Sequence, residues 1–149
     1  MKAVVQRVKK TTLSVEGELI SEIPFGLTVF LGVKVGDTEK EAAYLAKKIA
    51  GLRIFEDENG KTNLALKDVD GDLLLISQFT LYADCKKGNR PSFVRAGKPD
   101  AANEMYQYII KKCKEEIPVV EQGIFGADMK ISLLNDGPFT IILDSNEIC

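Results

Sequence analysis

Ser77, Gln78 and Thr80 stand at the end of an apolar run, Gly71 to Leu81, whose length suits a strand buried on both faces. Three hydrogen-bonding side chains placed there need partners or a task, because a buried polar group left unpaired costs roughly 1–3 kcal/mol. Neighbouring backbone is the plain way to satisfy them; chemistry is the other. A count narrows that chemistry: the 149 residues include no histidine. Ser-His-Asp and Cys-His catalysis, His-ligated zinc and the usual general base near neutral pH are therefore excluded. Cys85, Cys113 and Cys149 lack the paired spacing of a structural zinc site. Hydrolysis by this chain would rest on backbone amides, hydroxyls, carboxylates, lysine or the substrate itself.

A second cluster follows the first. Lys86, Lys87, Arg90, Arg95 and Lys98 lie between Cys85 and Pro99, with Phe93 among them and no acidic residue. The chain carries a net charge of −2, so five uncompensated cations on one loop (82–98) read as a phosphate-facing surface. A merely solvated loop is the plainer reading, but loops this long without structure of their own are more often functional. Glu56-Asp57-Glu58 reads as a solvated turn rather than a metal site, since no other carboxylate spacing completes a ligand set. Arg7 falls inside an apolar segment, where a surface arginine with its stem along the protein is the default reading.

The elements that must position these residues follow from periodicity and turn chemistry. Residues 2–9 alternate as a first strand, and Thr11–Val15 and Glu18–Ile23 flank a hairpin turn at Glu16-Gly17. Leu27–Val33 is another apolar strand. Thr38 and Glu41 have the capping-box spacing, opening a helix whose buried face is Ala42, Leu45, Ala46 and Ile49 and which Gly51 ends. The Glu and Lys residues of that helix read as a solvated face. Leu52–Phe55 and Thr62–Leu66 bracket the hairpin signal Asn59-Gly60. Pro99-Asp100 starts a second helix that buries Ala102, Met105, Tyr106, Ile109 and Cys113, which makes Cys113 a core residue rather than a nucleophile. Val119–Ile124, Met129–Leu134 and Phe139–Leu143 close the chain as strands, with turns at Gly123–Asp128 and Asn135–Pro138. These make one α+β domain, 1–149, with two main helices. No apolar run approaches the ~20 residues of a membrane span. The N-terminal charges are too interleaved for a signal peptide, and three widely spaced cysteines suit reduced thiols, so a cytoplasmic location is expected.

Four stretches share a further property. Ser77–Leu81, Lys87–Phe93, Phe125–Met129 and Asn135–Thr140, together with the opening Met-Lys-Ala-Val-Val-Gln-Arg-Val, resemble the D-aminoacyl-tRNA deacylase (D-tyrosyl-tRNA(Tyr) deacylase) family in the expected order. Phe139 departs from the valine usual at its position. The resemblance implies a barrel-like, mostly antiparallel core and hydrolysis of the ester joining a D-amino acid to the terminal adenosine of tRNA. It implies a homodimer with the active site at the interface, where Gly137-Pro138, joined by a cis bond, projects into the partner's pocket. No metal and no cofactor are expected. Carried over residue by residue, the catalytic positions are Ser77, Gln78, Phe79 and Thr80. Substrate would meet Gly137, Pro138, Met129, Phe125 and Arg7, and tRNA would meet Lys86, Lys87, Arg90 and Arg95.

The residues suit that reaction. An aminoacyl ester is already activated, so the main demand is stabilisation of the tetrahedral oxyanion, where one donor is worth roughly 3–4 kcal/mol. The Phe79 N–H, fixed by strand geometry, is the donor the resemblance suggests. Thr80 has no base near it in sequence, which favours a donor or positioner over a nucleophile. The ribose 2′-hydroxyl would supply the remaining activation. Two other classes stay open at this point: a non-catalytic RNA-binding module using loop 86–98, and a lysine-assisted hydrolase with Ser77 or Thr80 as nucleophile.

Overall fold

One long strand, β1 (Lys2–Val15), carries most of the architecture, and the computed structural model describes residues 1–149. Its turn residues Glu16 and Gly17 both have positive φ, 52° and 81°, as a two-residue hairpin requires, and return the chain as β2 (Glu18–Ile23). The hairpin reading therefore stands. β3 (Gly26–Gly32) then pairs antiparallel with the first half of β1, Lys2 opposite Gly32 and Val8 opposite Gly26.

Thr38 caps α1 (Glu39–Gly51), and both halves of the capping box form: the Glu41 carboxylate accepts from the Thr38 N–H at 2.8 Å. Ala42, Leu45, Ala46 and Ile49 are buried, as their spacing dictates. A small hairpin of β4 (Phe55–Glu56) and β5 (Thr62–Leu64) follows. Its turn consumes Asp57, which accepts the backbone N–H groups of Asn59 and Lys61 at 2.9 and 3.0 Å. The Lys61 bond and its companions hold the Asp57 carboxyl below its usual value, as a turn-forming acid should be.

β6 (Asp72–Ser77) lies parallel to β3, with Leu31 opposite Ser77, and Leu73 to Ile76 are all buried. α2 (Pro99–Lys114) and then β7 (Val120–Gln122) follow, β7 parallel to β6. The strand order is β2-β1-β3-β6-β7, with β8 (Met129–Asp144) on the other edge of β1. Ser21 on β2 donates to the Gln122 carbonyl on β7 at 2.5 Å, so the two outer strands meet and the sheet nearly closes as a barrel. A short helix, α3 (Ser145–Ile148), ends the chain. The α+β domain with a barrel-like core and two main helices is as expected, with two parallel pairings among the antiparallel ones.

Both helices cover one face of the sheet. Leu45, Ile49, Tyr106 and Ile109 pack there against Val5, Val29 and Leu75, all at 0–1% exposure. Val8, Leu13, Ile23, Leu74 and Ile76 fill the barrel interior. Cys113 belongs to the helix-facing core, where burial pushes its thiol up to about 12, leaving it no nucleophilic character at neutral pH. Met105 is only half buried, and Ile110 takes the core place instead.

Three expectations are corrected. Residues 2–9 and 11–15 form one strand, because β3 and β2 succeed one another along the same edge of β1. Met129–Leu134 and Phe139–Leu143 are likewise one strand, because β1 holds both ends in register, Val15 opposite Met129 and Lys2 opposite Asp144. The Asn135–Pro138 turn is thus a bulge within β8. Finally, the chain leaves the sheet after Ser77 and winds a 3₁₀ turn over Phe79–Tyr82, so strand geometry does not fix Phe79.

Candidate active site

Parallel strands leave their C-terminal ends free, and clefts in such sheets form there. β3 and β6 end side by side, and beyond them lies a cavity of about 740 Å³. Ser77, Gln78 and Phe79 form one wall, Phe125 and Met129 another, and Val33, Val35 and Gly97 a third. The 3₁₀ turn sets the catalytic candidates. Phe79 is the first residue of the turn, so its N–H is one that a helical turn leaves without an internal partner. Gln78 Nε2 donates to Thr80 Oγ1 at 2.5 Å, which leaves the Thr80 hydroxyl hydrogen free to donate outward. Thr80 is exposed beside the cavity rather than lining it.

The 123–129 wall is held by Tyr106 of α2. Its hydroxyl donates to the Leu75 carbonyl at 2.8 Å and accepts from the Gly123 N–H at 3.2 Å, while its ring packs on Phe125 at 6.0 Å. Burial pushes its phenol up to about 12, so it stays a neutral donor. Gly123 has a steric reason: a Cβ there would stand 2.6 Å from the Met129 sulfur. In the sequence Tyr106 is one of an apolar helix stripe, where nothing distinguishes a hydroxyl that bridges two walls.

The loop 82–98 is an ordered projection. Asp84 and Ser92 exchange backbone hydrogen bonds at 2.8 and 2.9 Å, and the tip between them exposes Lys86, Lys87 and Arg90. The Gly97 N–H donates to the Val33 carbonyl at 2.9 Å, pinning the return limb beside the cavity. Phe93 meets Phe79 edge-on at 5.0 Å. Arg95 stands 5.9 Å over the Tyr82 ring, apart from the tip cluster.

Arg7, Gly137 and Pro138 lie outside this cavity. Between Gln6, opposite Thr140, and Val8, opposite Asn135, β1 has one residue where β8 has four, so Asp136-Gly137-Pro138-Phe139 bulges out opposite Arg7. The Gly137-Pro138 bond is cis, and both residues are exposed. Arg7 is not the surface arginine expected: it is 8% exposed and spends its guanidinium inside the protein. It donates to the Ile54 carbonyl at 2.6 Å and the Asp136 carbonyl at 3.1 Å, and lies 4.6 Å over the Phe139 ring. Arg7 thus grips the bulge before and after the Gly-Pro pair. From Arg7 to Val15, opposite Met129, is roughly 27 Å along β1.

Fold and cavity define a small α+β domain with one cleft at the ends of its parallel strands. Residues 4–144 match the model of the family described as D-Tyr-tRNA(Tyr) deacylase. The chain is 55% identical over 147 residues to a D-aminoacyl-tRNA deacylase of Clostridium novyi (strain NT), covering 99% of each chain. It is 52% identical over 145 residues to one from Bacillus cytotoxicus, covering 97% of this chain and 99% of the relative. Among solved structures, one described as c-Myc DNA Unwinding Element Binding Protein superposes with a TM-score of 0.92 at 40% identity, over 97% of this chain and 98% of that one. A probable eukaryotic D-amino acid tRNA deacylase, 15% identical, shares the fold with a TM-score of 0.82 over 95% and 97%.

The chain belongs to the D-Tyr-tRNA(Tyr) deacylase family, and is an ester hydrolase acting on aminoacyl-tRNA. No helix is long and apolar enough to cross a membrane.

Proposed function

We propose that this chain removes D-amino acids, and glycine, from tRNA as a chirality-selective editing enzyme whose site is completed by a second copy of itself. The observation that carries the reading is the separation within one chain of the cavity from the bulge that bears Gly137-Pro138. A main-chain projection held rigid by Arg7, yet remote from its own cavity, is suited to a neighbour's. Leu134 and Ile142, 62% and 69% exposed on β8 on either side of the bulge, are apolar surface that a symmetric partner would cover.

Seated with its ester carbonyl toward the turn, the substrate meets the Phe79 N–H as oxyanion donor and the Thr80 hydroxyl as a second donor or positioner. Water attacks the carbonyl carbon, and the ribose hydroxyl beside the ester passes the proton to the leaving oxygen. Phe125 and Met129 bound the amino-acid space, and the exposed Lys86, Lys87 and Arg90 meet backbone phosphates. Gln78 occupies one lone pair of Thr80, and no base is bonded to that hydroxyl, so no acyl-enzyme forms. Thr80→Ala removes one hydrogen-bonding group and is accordingly expected to slow cleavage about tenfold without abolishing it. Mass spectrometry that traps an aminoacyl group on Thr80 would overturn this step and restore the nucleophile reading.

Subunit mixing tests the shared site. Gly137→Ala forces a Cβ into a residue with φ +138°, 3.0 Å from the Phe139 nitrogen, and spoils the bulge; Phe79→Pro spoils the cavity. Each variant alone is expected to be inactive. Co-refolded in equal amounts, random pairing makes half the dimers mixed, each with one intact site, so about a quarter of the sites recover. No recovery from a verified mixed dimer places bulge and cavity in the same chain. The non-catalytic nucleic-acid-binding reading, which the name of the 40%-identical structure would favour, requires binding without multiple turnover by the unaltered protein.

A further inference from the structure

The outward face of α1 has a charge pattern that a solvated helix does not need. Lys40, Tyr44, Lys47 and Lys48 are all exposed and share one side at helical spacing. Exposed helices ordinarily set acids against lysines three or four residues away. Here the acids are confined to the first turn, and Glu41 is committed to the cap. Lys40, Lys47 and Lys48 make no ion pair, whereas Lys112 on α2 pairs with Glu115 at 2.9 Å. Beyond the helix, Arg53 is fixed in direction by Asn63, whose carbonyl accepts from its Nε at 2.7 Å. Tyr44, Lys47, Lys48, Gly51, Leu52 and Arg53 surround a concavity of about 510 Å³ with no acid on its lining. Lys48 stands 5.4 Å over the Tyr44 ring on one side of this concavity.

We infer that this face is a second phosphate-binding surface, which takes the duplex backbone of the same tRNA whose aminoacyl end enters the cavity. The inference rests on the function proposed above. Three cations without an acid, in a chain of net charge −2, complement a polyanion and little else. Position supports the same occupant. Val33 and Val35, on the cavity wall, lead directly into α1, whose 13 residues extend about 20 Å from that end. Phosphates recur about every 3.4 Å along a stacked strand, so a strand that follows α1 from the cavity end to the concavity spans about six nucleotides. At that distance the bound tRNA presents its paired stem rather than its single-stranded end.

The test is salt-dependent binding of deacylated tRNA, together with cleavage of an aminoacyl-adenosine ester. Lys47→Glu with Lys48→Glu is expected to weaken tRNA binding at least tenfold at low salt and to reduce the log–log salt slope by about two. Cleavage of the aminoacyl-adenosine ester should be unchanged. Lys111→Glu with Lys114→Glu on α2 alters net charge equally and should leave tRNA affinity as it was. Equal weakening by both pairs would mean that overall charge, not this face, is responsible. No effect from the α1 pair, or an effect on a single-stranded oligonucleotide but not on a hairpin of equal charge, overturns the inference. Failure of the unaltered protein to cleave the adenosine ester would refute the proposed reaction separately, because the binding measurement does not depend on turnover.

Discussion

Phe79→Pro is expected to lower the single-turnover rate of deacylation by about 10²–10³-fold, while Phe79→Ala retains most of it. The pair isolates a backbone hydrogen. Proline at position 79 deletes the N–H and adds no side chain able to donate. Its fixed φ near −65° matches a 3₁₀ turn, and the first helical position is where proline is tolerated. The preceding Gln78 is outside the helical region, with φ −142° and ψ 83°, as a residue before proline should be. The variant should therefore fold with the turn intact. Alanine deletes the Phe79 ring, which is half exposed and touches Phe93, but keeps the N–H. Rates at saturating enzyme, with thermal unfolding as a check on both variants, give the comparison. Equal losses would assign the effect to the ring; an unimpaired proline variant would place the oxyanion donor elsewhere.

Local rules made much of the scaffold legible. The Thr38–Glu41 box, the Glu16-Gly17 turn and the apolar face of α1 each depend on residues within one or two turns of each other, so the chain itself carries the information. What failed depended on pairing between distant residues. Asn135-Asp136-Gly137-Pro138 has the composition of a turn, and only the register of β1, more than a hundred residues earlier, makes it a bulge. Phe79-Thr80-Leu81 continues an apolar alternation and reads as strand, but no partner strand extends past Ser77, and the backbone winds instead. Arg7 departs from its expected surface position for the same reason. Its partners come from the segment between α1 and β4 (Ile54) and from β8 (Asp136 and Phe139), and an arginine without visible partners defaults to the surface. For the site, Ser77, Gln78, Phe79, Phe125 and Met129 do line one cavity, whereas Arg7, Gly137 and Pro138 gather at a second place that a single chain does not join to it. Phe139 acquires a role by its position: its ring is the far jaw of the Arg7 grip, where the smaller valine would offer no π face.

D-alanyl-tRNA and glycyl-tRNA are expected to be cleaved at comparable rates, with L-alanyl-tRNA slower by on the order of 10²-fold or more. With the ester carbonyl held at Phe79 and the α-ammonium held by peptide carbonyls, D and L residues differ only in which direction carries Cβ. A wall of main chain on the L side would exclude Cβ by contact, with the D side chain pointing away from it. Main chain suits the task because it has no rotamer to swing aside, and here Arg7 restrains it through Asp136 on one flank and Phe139 on the other. Such a wall reads nothing beyond the first carbon, so D-residues of many sizes should pass. It also cannot reject a residue without a Cβ. Glycine presents hydrogen in both directions and would meet no clash, so it is expected to be hydrolysed although it is not a D-amino acid. Loosening the grip should erode the distinction from the L side: Phe139→Ala is expected to raise the L-alanyl rate while leaving the glycyl rate nearly unchanged, because the glycyl ester has no Cβ to meet the wall. Parallel deacylation of the three esters at equal enzyme decides the matter. Loss of the L-alanyl ester at the glycyl rate in the unaltered protein would mean that no wall stands on that side.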